Sequence, residues 1–163
     1  MLASFAQSTD EKLAAQYFEN AEYNQAYDLY KGIFKKNPSS IYIYENYLQT
    51  LLKLNMQRDA EKMLEKQIKR NPDAMNYQVD LGYVFHYFDE KEKSEKYFEK
   101  LIKNETSEEN RTIMLSQSFS RRGFNNYAVS TYEVASRKLG KLVFYEQLTQ
   151  AYRQTKSTKK LTD

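Results

Sequence analysis

Apolar side chains along this chain recur at helical spacing, in groups separated by short polar breaks. Leu13 and Tyr17, Ala26 and Tyr30, and Leu81 and Phe85 are each four residues apart, so each pair lies on one face of a helix. The pattern predicts helices over roughly 9–20, 23–36, 40–54, 57–70, 74–87, 90–103, 108–121 and 124–138, paired as four helix-turn-helix units. Ser39 or Ser40, Asp73 and Ser107 stand where a side-chain oxygen can accept a backbone N–H and cap a helix start. Pro38 and Pro72 cannot continue the helices before them. Gly123 marks the turn inside the fourth unit.

The units share one register. Asn37-Pro38 and Asn71-Pro72 lie 34 residues apart, and the same step links Ala26, Ala60, Ser94 and Ala128. Four residues beyond each small residue stands a large one: Tyr30, Leu64, Phe98, Tyr132. A third column runs Leu13, Tyr47, Leu81, Leu115, followed by Ala14, Leu48, Gly82, Ser116 and then by Tyr17, Leu51, Phe85, Phe119. The small column is expected where the two helices of a hairpin cross, since only Ala, Gly or Ser lets the backbones approach.

This pattern resembles the tetratricopeptide repeat (TPR) family, in period, in the hydrophobic–small–x–x–aromatic signature of the first helix, and in the Ala-x-x-x-aromatic signature and closing proline of the second. The family's early Trp is replaced by Asp10, Tyr44, Gln78 and Thr112, and the last two units end on Thr106 and Gly140 instead of Pro. The resemblance implies an all-α fold: a right-handed superhelical solenoid of about four helix-turn-helix repeats (about 7–40, 41–74, 75–108 and 109–141) plus a C-terminal helix. Leu148, Thr149 and Tyr152 repeat the first-helix signature one residue early, so 141–157 reads either as a capping helix or as the start of a fifth repeat. Gln147, Gln150 and Arg153 would then supply a polar outer face, with 158–163 as a tail.

The resemblance also implies a function. Such stacks hold a peptide or protein segment in the concave groove lined by the first helix of each unit. With the Leu13 column numbered seventh, the second, fifth, ninth, twelfth and thirteenth positions flank the buried stripe. The groove candidates are Phe18, Tyr42, Gln49, Asn76, Tyr83, His86, Tyr87, Gln117 and Arg121, with Leu52, Val79 and Ile113 among the other residues at those positions. Tyr83, His86 and Tyr87 form the strongest cluster, because tyrosine offers a large contact area and a polar tip at low entropy cost. Some TPR proteins grip a C-terminal carboxylate with Lys at the fifth position and Asn at the ninth. Here those pairs are Glu11/Ala15, Glu45/Gln49, Val79/Tyr83 and Ile113/Gln117, so that clamp is missing.

Composition narrows the chemistry. The 163 residues include 15 Tyr and 9 Phe but 4 Gly, 2 Pro, one His and no Cys. Without Tyr the apolar fraction is roughly a third, against ~45–50% in ordinary domains, so a thin aromatic-rich core is expected. Cysteine chemistry is excluded, and few glycines argue against phosphate-cradling loops. His86 is the single imidazole, no HExxH, GxSxG or P-loop pattern occurs, and Asp89–Lys96 reads as a solvated face of mixed sign. The chain therefore reads as non-catalytic, with no cofactor or metal and no small-molecule substrate. Its net charge is +3 with the signs interspersed. A single-stranded nucleic-acid binder is the weaker alternative, since a phosphate-tracking groove gathers its basic residues. A spacer or dimerisation module of a larger envelope protein, including a homodimer, is another. No run is apolar enough for a transmembrane segment. Residues 1–7 read either as the remnant of a signal peptide, implying export to a bacterial periplasm, or as an apolar terminus of a cytoplasmic protein.

Overall fold

The computed structural model describes residues 9–140 and 143–162. Residues 1–7, and the two readings attached to them, lie outside the described residues. Among those described there are nine helices and no strand: α1 (Thr9–Glu19), α2 (Tyr23–Lys36), α3 (Ile41–Lys53), α4 (Gln57–Arg70), α5 (Met75–Tyr87), α6 (Lys91–Glu105), α7 (Glu109–Arg121), α8 (Asn125–Leu139) and α9 (Tyr145–Thr162). The first eight begin and end within a residue or two of the spans read from periodicity. The last runs through the segment read as a tail. The chain divides into two compact units, residues 1–60 and 61–163.

Only one of the expected caps forms as read. Ser40 Oγ accepts the Ile43 N–H at 3.4 Å at the start of α3. The cap of α5 is Ala74 and that of α7 is Glu108, neither bonding through its side chain. Asp73 instead pairs with Arg111, and Ser107 falls one residue before the cap position.

The four turns between consecutive odd- and even-numbered helices share one geometry that periodicity alone did not disclose. Ala21, Asn55, Asp89 and Gly123, again spaced by 34, all adopt positive φ, at 60°, 55°, 61° and 79°. After each, the next residue's N–H reaches back to a carbonyl of the aromatic–aliphatic column: Glu22 to Tyr17, Met56 to Leu51, Glu90 to Phe85 and Phe124 to Phe119, all at 2.8–2.9 Å. This is the Schellman closure, which satisfies carbonyls orphaned at a helix end and requires a left-handed residue. A repeated hydrogen-bond pattern thus fixes each turn, whatever residue type occupies it.

In the first unit α1 packs on α2, and α2 on α3. Ala14, Ala26, Tyr30, Ile43, Tyr44, Leu48 and Leu51 are fully buried. In the second unit α5 and α6 form one hairpin and α7 and α8 the next; α5 lies beside α7, α6 beside α8, and α9 against α8. First helices therefore neighbour first helices, and second neighbour second. Ala26, Ala60, Ser94 and Ala128 are all buried, at 0%, 0%, 2% and 1% exposure, as a column of helix-crossing contacts requires. In the second unit the crossing points carry hydrogen bonds. Ser94 Oγ donates to the Gly82 carbonyl (2.9 Å), and Ser116 Oγ to the Ala128 carbonyl (3.1 Å).

The core of the second unit is the aromatic one expected. The Phe98 ring meets Phe119, Phe124 and Tyr127 at centroid distances of 5.0, 5.0 and 4.9 Å. Ring pairs of this kind each add ~0.5–1.5 kcal/mol beyond the area they bury. Such contacts compensate for the shortage of aliphatic side chains.

Candidate functional site

The groove candidates fall into two sets by unit. In the first, Phe18 is half-buried and packs edge-on to Tyr23 at 5.4 Å, Gln49 is half-buried, and Tyr42 is exposed. In the second are Asn76, half-buried, and the residues of two clusters. Two neighbouring positions require correction. Leu52 and Val79, placed by the helical wheel at the edge of the buried stripe, are core residues at 1% and 0% exposure. Both α3 and α5 are covered over more of their circumference than a single hairpin partner requires, so the wheel's edge lies inside.

The first cluster is the one picked from sequence. Tyr83 and Tyr87, one turn apart on α5, meet edge-on at 6.1 Å, and the rings of Tyr83 and His86 both abut Phe124 at 6.2 and 5.2 Å. His86 and Tyr87 are exposed, whereas Tyr83 is half-buried with the Arg122 guanidinium 5.1 Å from its ring centroid. Burial pushes the Tyr83 phenol up, a shift that the Arg122 charge opposes. Tyr83 is thus partly a packing residue, and the outward surface of the cluster is Tyr87 and His86.

Arg121, exposed at the end of α7, is ion-paired. Its Nη2 lies 3.3 Å from Asp80 Oδ2, and Arg122 Nε donates to Asp80 Oδ1. The Asp80 side chain is wholly buried, while those of Arg122 and Arg121 are 11% and 40% exposed. A carboxylate taken out of water needs such partners, because unpaired it would lose several kcal/mol of hydration. Asp80 sits on α5 and both arginines at the end of α7, so the pairing links successive first helices. Nothing in the local sequence marks Asp80 as buried, and its partners are 41 and 42 residues away.

The second cluster surrounds an open cleft of about 600 Å³ among α7, α8 and α9. Ile113, Ser116, Gln117, Ser120 and Arg121 line it from α7, Gln147, Gln150 and Ala151 from α9, and Tyr132 of α8 contributes to it between them. Gln117 and Arg121, expected at the groove, are here; so is Ile113. Gln147 and Gln150, read as the outer face of a cap, instead face α7 across the cleft. The signal was present in the early register of α9: with Leu148 in the seventh position, Gln150 occupies the ninth, as Gln117 does one unit before.

Tyr132 has a counterpart in Tyr30 of the first unit, 102 residues earlier. The Tyr30 hydroxyl is buried and makes no hydrogen bond of good geometry; burial and then the nearby Tyr42 hydroxyl hold its ionisation well above the ordinary phenol range. Lys31 Nζ, on the same helix, lies 3.0 Å from Tyr27 Oη.

Among the described residues no group of three or more metal-ligating side chains converges, and no helix is long and apolar enough to cross a membrane. No family model matches the chain, and no curated protein sequence does. Among solved structures the chain is similar to MamA, with 17% identity over 93% of this chain and 86% of that one and a TM-score of 0.45. It is also similar to TTC0263, a thermophilic TPR protein of Thermus thermophilus, with 15% identity over 92% and 83% and a TM-score of 0.46. Among the described residues the fold is all-helical, built of helical hairpins whose small-residue columns and left-handed turns repeat in one register.

Proposed function

We propose that this protein is a non-catalytic interaction scaffold that holds a peptide or protein segment against the face formed by the first helices of its second unit. The observation that carries the reading is the cleft among α7, α8 and α9. Ile113, Gln117 and Arg121, which share the flanking repeat positions of α7, line it together with Gln147, Gln150 and Ala151 of α9. The cleft is mixed in character, lined by apolar Ile113 and Ala151 and the Tyr132 ring together with amide and hydroxyl groups. Such a surface suits a polypeptide, which presents apolar side chains and polar main chain together. Asn76, Tyr83, His86 and Tyr87 extend the candidate surface on α5 of the same unit, and Phe18, Tyr42 and Gln49 are the candidates on the first unit taken by itself.

The test is selection of peptides from a randomised displayed library on the immobilised protein. Ser120→Trp, which fills the cleft from a half-buried lining position, is the blocking variant. The wild type enriches a set of peptides; the variant melts at the same temperature and enriches none of them. Failure of the wild-type protein to enrich any peptide would sink the reading.

A further inference from the structure

The last helix leaves open a face that the other first helices of its unit bury. Leu148, Thr149 and Tyr152 of α9 stand at the repeat positions held by Leu81, Gly82 and Phe85 on α5 and by Leu115, Ser116 and Phe119 on α7. On α5 and α7 the second helix of the same hairpin covers these positions. Ser94 Oγ of α6 donates to the Gly82 carbonyl, and the Phe85 ring meets Tyr97 edge-on at 5.7 Å. Ser116 Oγ donates to the Ala128 carbonyl of α8, and the Phe119 ring stacks on Tyr127 at 5.6 Å. Among the described residues no helix follows α9. Its Leu148 and Thr149 are only half-buried, and Tyr152 is 43% exposed. Tyr145, 67% exposed, extends the same stripe, three residues before Leu148 and four before Thr149.

The stripe is complementary to itself. At about 100° per residue, Glu146 and Arg153 lie together on one flank of it, opposite the Ala151 side that packs with Val129, Tyr132 and Ala135. Both are exposed, and among the described residues neither has an ion-pair partner. Two such helices can pack antiparallel about a two-fold axis placed midway between these two residues. Each Glu146 then meets the Arg153 of the second copy, each Tyr152 falls against the other Leu148, and the two Thr149 residues meet at the crossing. Thr149 holds the position of Gly82 and Ser116, the small residues at this protein's own helix crossings. Its hydroxyl already donates to the Tyr145 carbonyl at 2.8 Å, so the crossing would bury no unpaired donor.

We propose that a second copy of this chain docks here, the α9 of each copy taking against the other the place that a second helix takes in the hairpins. The contact is isologous and closes at a dimer. It uses the side of α9 away from Gln147 and Gln150, so it stands independently of peptide binding at the cleft. One pair of helix faces is a small interface, and a dissociation constant on the order of 10 μM is expected.

Sedimentation equilibrium of the full chain, at concentrations up to about 1 mM, is the first test. A monomer–dimer equilibrium is expected. A monomer throughout overturns the proposal and leaves the face to another occupant; oligomers that keep growing with concentration overturn it too. Glu146→Arg and Arg153→Glu each set like charges opposite one another at two symmetric places and should weaken the dimer about tenfold, while the two changes together restore it to within about twofold. Absence of that rescue overturns the pairing. Because the chain has no cysteine, single replacements report the register directly. In the antiparallel pair the two copies of position 149 lie about 1.5 Å apart along the helix axis, and those of position 145 about 13 Å apart. Thr149→Cys should therefore form an intermolecular disulfide under mild oxidation and Tyr145→Cys should not. Equal or greater crosslinking through Tyr145→Cys overturns the arrangement. Thr149→Cys is close to isosteric, so this result does not depend on how the charge variants fold.

Discussion

Ser94 Oγ donates a 2.9 Å hydrogen bond from α6 to the carbonyl of Gly82 on α5. The bond requires a small residue on both helices. A Cβ built on Gly82 would stand 2.1 Å from the Phe98 ring, which is 1% exposed and enclosed by Phe119, Phe124 and Tyr127. The ring has nowhere to move. Gly82→Ala is therefore expected to destabilise the protein by about 3 kcal/mol, the upper end of overpacking, despite the better helix propensity of alanine. Phe98→Leu in the same chain should recover part of that loss, since the second 34-residue repeat carries Leu48 and Leu64 in these columns. Denaturant midpoints of the single and double variants check this.

The left-handed column gives a second prediction. Ala21 holds φ at 60° where Gly123 holds 79° in the fourth turn. A Cβ in this region costs roughly 1 kcal/mol, which glycine avoids. Ala21→Gly is expected to raise stability by up to about 1 kcal/mol and Gly123→Ala to lower it by a similar amount, although both changes are nominally the same pair of residues. Thermal melts of the two variants, moving in opposite directions, check it.

Removing the buried carboxylate tests the link between α5 and α7. Asp80→Ala leaves the Arg122 side chain, 11% exposed, beside an empty site, and is expected to cost about 3 kcal/mol. Arg122→Ala should cost more than Arg121→Ala, because Arg121 is 40% exposed and screened by water, while Arg122 also lies over the Tyr83 ring. Chemical denaturation of the three variants checks the order.

Buried phenols predict the response to alkali. Burial, and then the charge of Glu105, push Tyr97 up to about 12, and burial raises Tyr30 and Tyr47 further. Below about pH 10 these groups are protonated in both folded and unfolded chains. Above it the unfolded chain gives up protons that the folded chain retains, so stability falls as pH rises from 10 through the folded values. Melting temperature should accordingly be flat from neutrality to about pH 9.5 and then drop. Tyr97→Phe should flatten the drop. Tyr30→Phe should flatten it too and, since the Tyr30 hydroxyl has no well-formed bond, stay within about 0.5 kcal/mol of wild type at neutral pH or exceed it.

What the order of residues determined by itself was the hairpin and its period. A helix buries one stripe, so Leu81 with Phe85 and Ala26 with Tyr30 reveal both the helix and its inward face, and a contact that admits only small residues leaves Ala26, Ala60, Ser94 and Ala128 in plain view. Repeat position also reached Gln117 and Arg121 as lining residues. The tertiary structure decided the rest, wherever a property belongs to a contact rather than to a side chain. Ala21, Asn55, Asp89 and Gly123 share no chemistry, and only the hydrogen bond closing behind each imposes its left-handed backbone. Val79 and Asp80 are adjacent and equally buried, yet one is apolar and the other charged; what shields them comes from helices far along the chain. Gln147 and Gln150 look like a solvated edge until α9 packs on α8 and turns them toward α7. Periodicity records which face of a helix is buried, but only packing settles what that face, and the one beside it, will meet.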